Sequence, residues 1–165
     1  MRAILLIDHG SVRPEANHML ACMGNLLQQM VGRGLLVRHA HMELAAPSIA
    51  EGFAACVASG ATEVIVFPYM LSPGKHVTRD IPRLVADAAA GFPHVIYRVT
   101  AAFGVHEKLA ELIAQRAGVD IVQSAGSAEE AERDSGCTCH DPNGAVGACG
   151  AACPERSADR LAPAP

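Results

Sequence analysis

The chain predicts an α/β fold: a four-stranded parallel sheet flanked by helices, a flavodoxin-like half, followed by a Cys-rich C-terminal tail. Three observations carry that expectation. Short aliphatic and β-branched runs alternate with longer amphipathic stretches four times, and Gly or Pro stands at each join. Strand-then-helix repetition of this kind places the strands parallel and the helices on the sheet faces. After Gly118 the apolar periodicity stops.

Residues 3–7 read as a buried strand, because the run is short, apolar and partly β-branched. Residues 8–11, Asp-His-Gly-Ser, form the loop beyond it, and Pro14 suits the first turn of a helix. From there to Val31, the side chains Met19, Cys22, Met23, Leu26, Leu27 and Met30 recur at steps of three and four, the pattern of an amphipathic helix. Gly32 and Gly34 end it. Residues 35–41 are the second strand, and Glu43 follows them. Pro47 is expected to open the second helix, with Ile49, Phe53 and Val57 on its apolar side and Gly60 past its end.

Residues 64–67 are the third strand, broken at Pro68 and followed by a Ser72-Pro73-Gly74 turn. Thr78 is then expected to cap a third helix reaching about Ala90, with Asp80 in its first turn complementing the helix dipole. Residues 95–99 and 105–117 complete the alternation as strand and helix. Cys22 and Cys56 fall on apolar helical positions and are expected in the core.

Two domains of unequal character follow: 1–118 as the folded domain, and 119–165 as an acidic linker with a flexible Cys-rich tail. The net charge of -4 is concentrated in the second. Residues 1–118 carry ten Lys/Arg against nine Asp/Glu, whereas 119–165 carry three against eight. Neither part has the basic surface of a nucleic-acid binder. No stretch approaches the length of a membrane span, and Asp8 stops the N-terminal apolar run too early for a signal peptide. A cytoplasmic location is therefore expected, where reducing conditions would keep the six cysteines as thiols.

In a sheet of this type, ligands bind beyond the carboxyl ends of the strands. His9 lies there after strand one, and Lys75-His76 lie there after strand three. Strands two and three should both border strand one, so the three end loops would converge. Two imidazoles facing one cleft can bind a borderline divalent ion, and the carboxylate of Glu43 could complete the set as ligand or proton acceptor. Each residue also has a plain structural reading: His9 bonded to loop carbonyls, Glu43 an ordinary loop acid. Ser11 and nearby backbone N–H groups could hold an anion, as could Arg13, Lys75 and Arg79. His39 and His41 alternate with Glu43 along one strand face and are expected to pack under a helix.

Three stretches, in order, carry a family resemblance: Asp8-His9-Gly10-Ser11 through Asn17, then Met42-Glu43-Leu44 through Ile49, then residues 68–82 with Gly74-Lys75-His76. They resemble the small sirohydrochlorin chelatases of the CbiX/SirB type, class II tetrapyrrole chelatases, over about residues 1–117. The resemblance implies insertion of a divalent metal, Co²⁺ or Fe²⁺ and in some cases Ni²⁺, into sirohydrochlorin without ATP. It would serve cobalamin or sirohaem synthesis in a half-size chain that pairs as a homodimer. It implies metal-handling roles for His9 and His76 and a catalytic role for Glu43. Substrate contacts are expected at Ser11, Arg13, Gly74 and Lys75.

In the tail, Cys137, Cys139, Cys149 and Cys153 lie within 17 residues together with His140. Clustered thiols in a reducing compartment suggest a [2Fe–2S] cluster, zinc or a transient metal store. The rival to an enzyme is accordingly a non-catalytic carrier that stores metal in this tail.

Overall fold

The computed structural model describes residues 1–121. Its elements are β1 (Arg2–Asp8), α1 (Pro14–Val31), β2 (Leu35–His41), α2 (Ile49–Ala58), β3 (Glu63–Pro68), α3 (Ile81–Ala89), β4 (Ile96–Val99) and α4 (Glu107–Ala117). A short 3-10 turn spans Gly32–Gly34, and a π-turn spans His76–Asp80 ahead of α3. Met1–Phe103 is one compact unit and α4 belongs to the next. The tail cysteines Cys137, Cys139, Cys149 and Cys153 lie outside the described residues.

The sheet runs β2-β1-β3-β4 with every pair parallel; the parallel pairing and the place of β1 between β2 and β3 are as expected, and β4 joins the β3 edge. Period-two patterning then divides β1 between two cores. Ala3, Leu5 and Ile7 face Phe53 and Cys56 of α2 and Ile81 and Val85 of α3. Leu6 faces the other way, onto Leu20 of α1 and Val37 of β2. Gly52 lets α2 lie directly on the sheet: a Cβ there would stand 2.8 Å from the Ala40 Cβ. Burying Cys56 in this layer pushes its thiol pKa up to about 11, since a thiolate there would lose its water.

Four local expectations need correction. The buried stripe of α1 is Leu20 and Gly24, with Leu27 and Val31 packed beside it; Met19, Met23, Leu26 and Met30 are exposed. Cys22 is likewise exposed rather than in the core, its Sγ 3.3 Å from His18 Nε2. Pro47 does not open α2. Ser48 caps it instead, in a reciprocal box with Glu51, and the backbone and hydroxyl of Ser48 hold the Glu51 carboxyl below its ordinary pKa. Thr78 does not cap α3 either: its hydroxyl donates back to Gly74 O at 3.3 Å, inside a turn that has already begun.

β2 is the sheet edge, and α1 covers part of it. Gln28 donates to Gly32 O at 2.7 Å and Leu35 O at 2.9 Å, and accepts from Val37 N at 2.8 Å. One amide thus satisfies edge groups that would otherwise be open to another chain.

Candidate active site at the carboxyl ends of the strands

The loops after β1 and β2 are stapled together residue by residue. Asp8 and His41 are register partners, and the ladder continues past them: Met42 N–H donates to Asp8 O at 2.9 Å and Glu43 N–H to His9 O at 3.1 Å. Glu43 is thereby carried to the side of His9. The close approach depends on Gly10, whose φ is +83° and whose Cβ, if it had one, would lie 1.9 Å from Glu43 O. Under this turn a buried histidine meets a half-buried carboxylate. His41, only 1% exposed, has its Nδ1 2.5 Å from Asp8 Oδ1, which also accepts from Gly10 N at 3.0 Å. Leu44 takes a positive φ of 64° immediately after Glu43. A left-handed leucine costs on the order of 1 kcal/mol, so the loop stores strain beside the site.

The third loop brings His76. Tyr69 N–H donates to Ile7 O at 2.6 Å, holding the β3 exit against β1. Gly74 O then accepts from Val77 N and Thr78 N, and buried Val77 pins the π-turn to the core. π-turns inside helices recur at functional sites because the extra residue re-aims side chains. Here the His76 ring comes to 5.2 Å from the His9 ring, centroid to centroid, at 71°.

His9, Glu43 and His76 are therefore neighbours, as the convergence of the three loops predicts. His9 Nε2 is 2.7 Å from Glu43 Oε1, and His9 Nδ1 faces Gly10 O at 3.3 Å. His76 Nδ1 is 3.0 Å from Asp80 Oδ2, while Arg79 Nε donates to Asp80 Oδ1 at 2.9 Å. The Arg79 bond, helped by His76 and opposed by partial burial, holds the Asp80 carboxyl below its ordinary pKa. The cluster is open: the His9 and Glu43 side chains are 46% and 51% exposed. Among the described residues, no three His, Cys, Asp or Glu side chains already surround a single metal position. His9 Nε2 is paired with Glu43, so an ion binding there must displace that contact, whereas His76 is paired through Nδ1 alone.

The surrounding residues are less uniform. Ser11 N–H is taken by Asn17 Oδ1 at 2.9 Å, Asn17 Nδ2 donates to Ser11 O at 2.8 Å, and Arg13 N–H donates to Ser11 Oγ at 3.1 Å. Together with the Gly10–Asp8 bond, this commits the Gly10, Ser11 and Arg13 amides internally, which leaves the Ser11 hydroxyl hydrogen as the Ser11 group free to donate. Arg13 and Lys75 are exposed at the starts of α1 and the π-turn, and neither forms an ion pair among the described residues. Arg79, by contrast, is occupied by Asp80. A cavity of about 330 Å³ opens on the α1 side of His9, walled by Asp8, Ser11, Asn17, Met19 and Tyr69 among others. Glu43 and His76 are not in its wall.

His41 packs, as expected, and His39 is half-buried beside it with ring centroids 5.9 Å apart. Burial first, and the neighbouring His41 second, lower the His39 pKa. The supporting residues Asp8, Asn17, His41 and Asp80 are not singled out as site residues by the sequence. Only Asp80 has a signal to find it, its helical i,i+4 spacing from His76.

The CbiX family profile matches residues 3–119. A sirohydrochlorin ferrochelatase, chloroplastic, from Arabidopsis thaliana is 41% identical over 127 residues, covering 77% of this chain and 56% of that protein. A sirohydrochlorin cobaltochelatase from Priestia megaterium is 32% identical over 116 residues, covering 70% of this chain and 37% of that one. Among solved structures, the chelatase SirB of Bacillus subtilis subspecies spizizenii in complex with cobalt superposes with a TM-score of 0.66 at 30% identity, over 71% of this chain and 50% of that chain. The chain spans about half the length of such relatives. With the parallel four-stranded sheet and the profile match across nearly all its described residues, the chain belongs to the CbiX family.

Proposed function

We propose that the chain inserts a divalent metal ion into sirohydrochlorin without ATP, with His9 and His76 handling the ion and Glu43 serving proton transfer. The observation that carries this reading is the open cluster of two imidazoles and a carboxylate at the ends of three adjacent parallel strands. Names of relatives support the substrate and both Co²⁺ and Fe²⁺ as cargo. Imidazole and carboxylate accept Fe²⁺, Co²⁺ and Ni²⁺ alike, so Ni²⁺ stays a third candidate.

The chemistry balances as an exchange. One divalent ion enters the macrocycle and two pyrrole N–H protons leave. A neutral imidazole nitrogen that releases the ion regains the lone pair needed to take a proton, so the same atom can serve both halves. Glu43, 2.7 Å from His9 Nε2, can relay that proton toward solvent through its exposed carboxylate. A few weak ligands suit transfer, whereas a closed thiolate cage would retain the ion. Around the cluster, the Arg13 and Lys75 cations and the Ser11 hydroxyl would meet the carboxylates of the substrate, with Gly74 in the exposed turn before Lys75.

The test is anaerobic incubation of the protein with sirohydrochlorin and each metal, followed by absorption. His9→Ala and His76→Ala are each expected to slow insertion roughly 100-fold. Rates equal to the protein-free reaction for every metal would reject the reading.

The matched region spans about half of the longer relatives, and we read the working form as a homodimer in which two copies supply what those proteins hold in one. Sedimentation across a dilution series that shows only monomer during turnover would contradict this. No described helix is long and apolar enough to cross a membrane. We keep a cytoplasmic, reducing setting as part of the proposal. The tail lies beyond the family match, and a role for Cys137, Cys139, Cys149 and Cys153 in binding an iron–sulfur cluster or zinc is an accessory proposal. Replacing all four with Ser is expected to lower the metal content of the isolated protein while leaving chelatase activity in place. Loss of most of the bound metal, with no chelatase activity in either form, would favour a carrier.

A further inference from the structure

We propose that Asp80 is the positioning residue for His76: its carboxylate holds the imidazole as the Nδ1–H tautomer and so keeps Nε2 ready to receive the metal ion. The inference rests on the reading of His76 as an ion-handling residue. It deepens that reading by saying what makes this particular nitrogen available.

The geometry is specific. Asp80 Oδ2 lies 3.0 Å from His76 Nδ1, and Oδ1 is held by Arg79 Nε at 2.9 Å, so each oxygen of the carboxylate has its own donor. An ionised carboxylate only accepts hydrogen bonds, hence the shared hydrogen belongs to His76 Nδ1. Nε2 of the same neutral ring then carries a lone pair, and it has no hydrogen-bond partner among the described residues.

Nor is the carboxylate engaged in ordinary helix capping. No side-chain cap bond is made at the start of α3, although Asp80 stands at its cap position. The π-turn supplies the rest: it closes through Ile81 N–H to His76 O and brings residue 80 back beside residue 76. Buried Val77 fixes the turn between them. A histidine that binds a metal through one nitrogen commonly donates its other N–H to a carboxylate, which orients the ring and raises its basicity.

The two imidazoles consequently start from different states. His9 has its Nε2 paired with Glu43, whereas His76 has its Nε2 uncommitted. An arriving ion meets His76 first, and binding to His9 follows displacement of the Glu43 contact.

The test uses the full chain with two readouts. Long-range ¹H–¹⁵N spectra of the metal-free protein at about pH 8, where an ordinary histidine is neutral, report the His76 tautomer, its signal assigned by loss in His76→Gln. Wild type is expected to show the Nδ1–H form. Asp80→Ala is expected to shift toward the Nε2–H form that free imidazole side chains prefer, and the isosteric Asp80→Asn to fall between. In steady-state assays, Asp80→Ala is expected to raise the KM for Co²⁺ roughly 10- to 100-fold, leaving the KM for sirohydrochlorin within about twofold. Asp80→Glu should restore part of the loss. An unchanged tautomer in both Asp80→Ala and Asp80→Asn, or an unchanged KM for Co²⁺, would overturn the inference. A wild-type protein without chelatase activity would instead sink the functional reading, and the spectra would still judge the Asp80–His76 pairing.

Discussion

Gly10 decides how closely the first two loops can meet. Its positive φ, and the overlap that any Cβ there would make with Glu43 O, leave no room for a side chain. Gly10→Ala is expected to cost about 2 kcal/mol or more in denaturant unfolding, and to slow metal insertion because Glu43 is pushed from His9. A variant with wild-type midpoint and rate would show that the loops do not depend on this contact. At this scale the sequence is informative for His9, Glu43 and His76, because each directly follows a strand and parallel strands end together. It is silent on the pairings. Whether His41 packs or ligates depends on Asp8, 33 residues away, and no local pattern encodes a 2.5 Å contact across strands. The internal use of the Ser11 amide is local, but it arises only when the first turn of α1 sets Asn17 back over the loop.

Element boundaries follow from local chemistry where one signal dominates. α1 runs from Pro14 to Val31, as the proline at its start and Gly32 at its end predict. Its rotation is not legible in the same pattern, because Met19, Leu20, Met23, Leu26, Leu27 and Met30 make an apolar band too wide to show which edge faces the sheet. The structure selects the edge containing Leu20 and Gly24, which lies against Leu6 and Val37. For α2, Pro47 is the conspicuous residue, but the cap with its reciprocal partner is Ser48-x-x-Glu51. Ser48→Ala is expected to lower stability by about 1 kcal/mol. Gly52→Ala should cost more, roughly 1–3 kcal/mol, since the added methyl meets Ala40 and Leu5 and lifts α2 from the sheet. Thermal unfolding of both variants checks the order, and a larger loss for Ser48→Ala would contradict it. The π-turn has no sequence signature, because its widened hydrogen bonding is set by how Val77 and Asp80 settle against neighbours.

For the molecule as a whole, the alternating pattern is sufficient for a parallel sheet with β2 and β3 on either side of β1, while the place of β4 beside β3 is supplied by the structure. One global property depends on pH. His39 has its pKa lowered from the ordinary 6.5 by burial, so the unfolded chain binds its proton more readily than the folded one. Its neutral form favours the fold above that ordinary value, and the contribution is lost as pH falls below it. The stability of the wild type is therefore expected to drop between about pH 8 and pH 5, and His39→Gln to flatten part of that slope. Identical slopes would assign the acid sensitivity to other groups. The central claim concerns the three strand ends acting as one metal-transfer site. It is tested most directly by anaerobic metal insertion into sirohydrochlorin, with Co²⁺, Fe²⁺ and Ni²⁺ in turn, comparing wild type with His76→Ala. Insertion well above the protein-free rate by the wild type, with a roughly 100-fold loss in the variant, is the predicted result. Equal rates for the two proteins would contradict it.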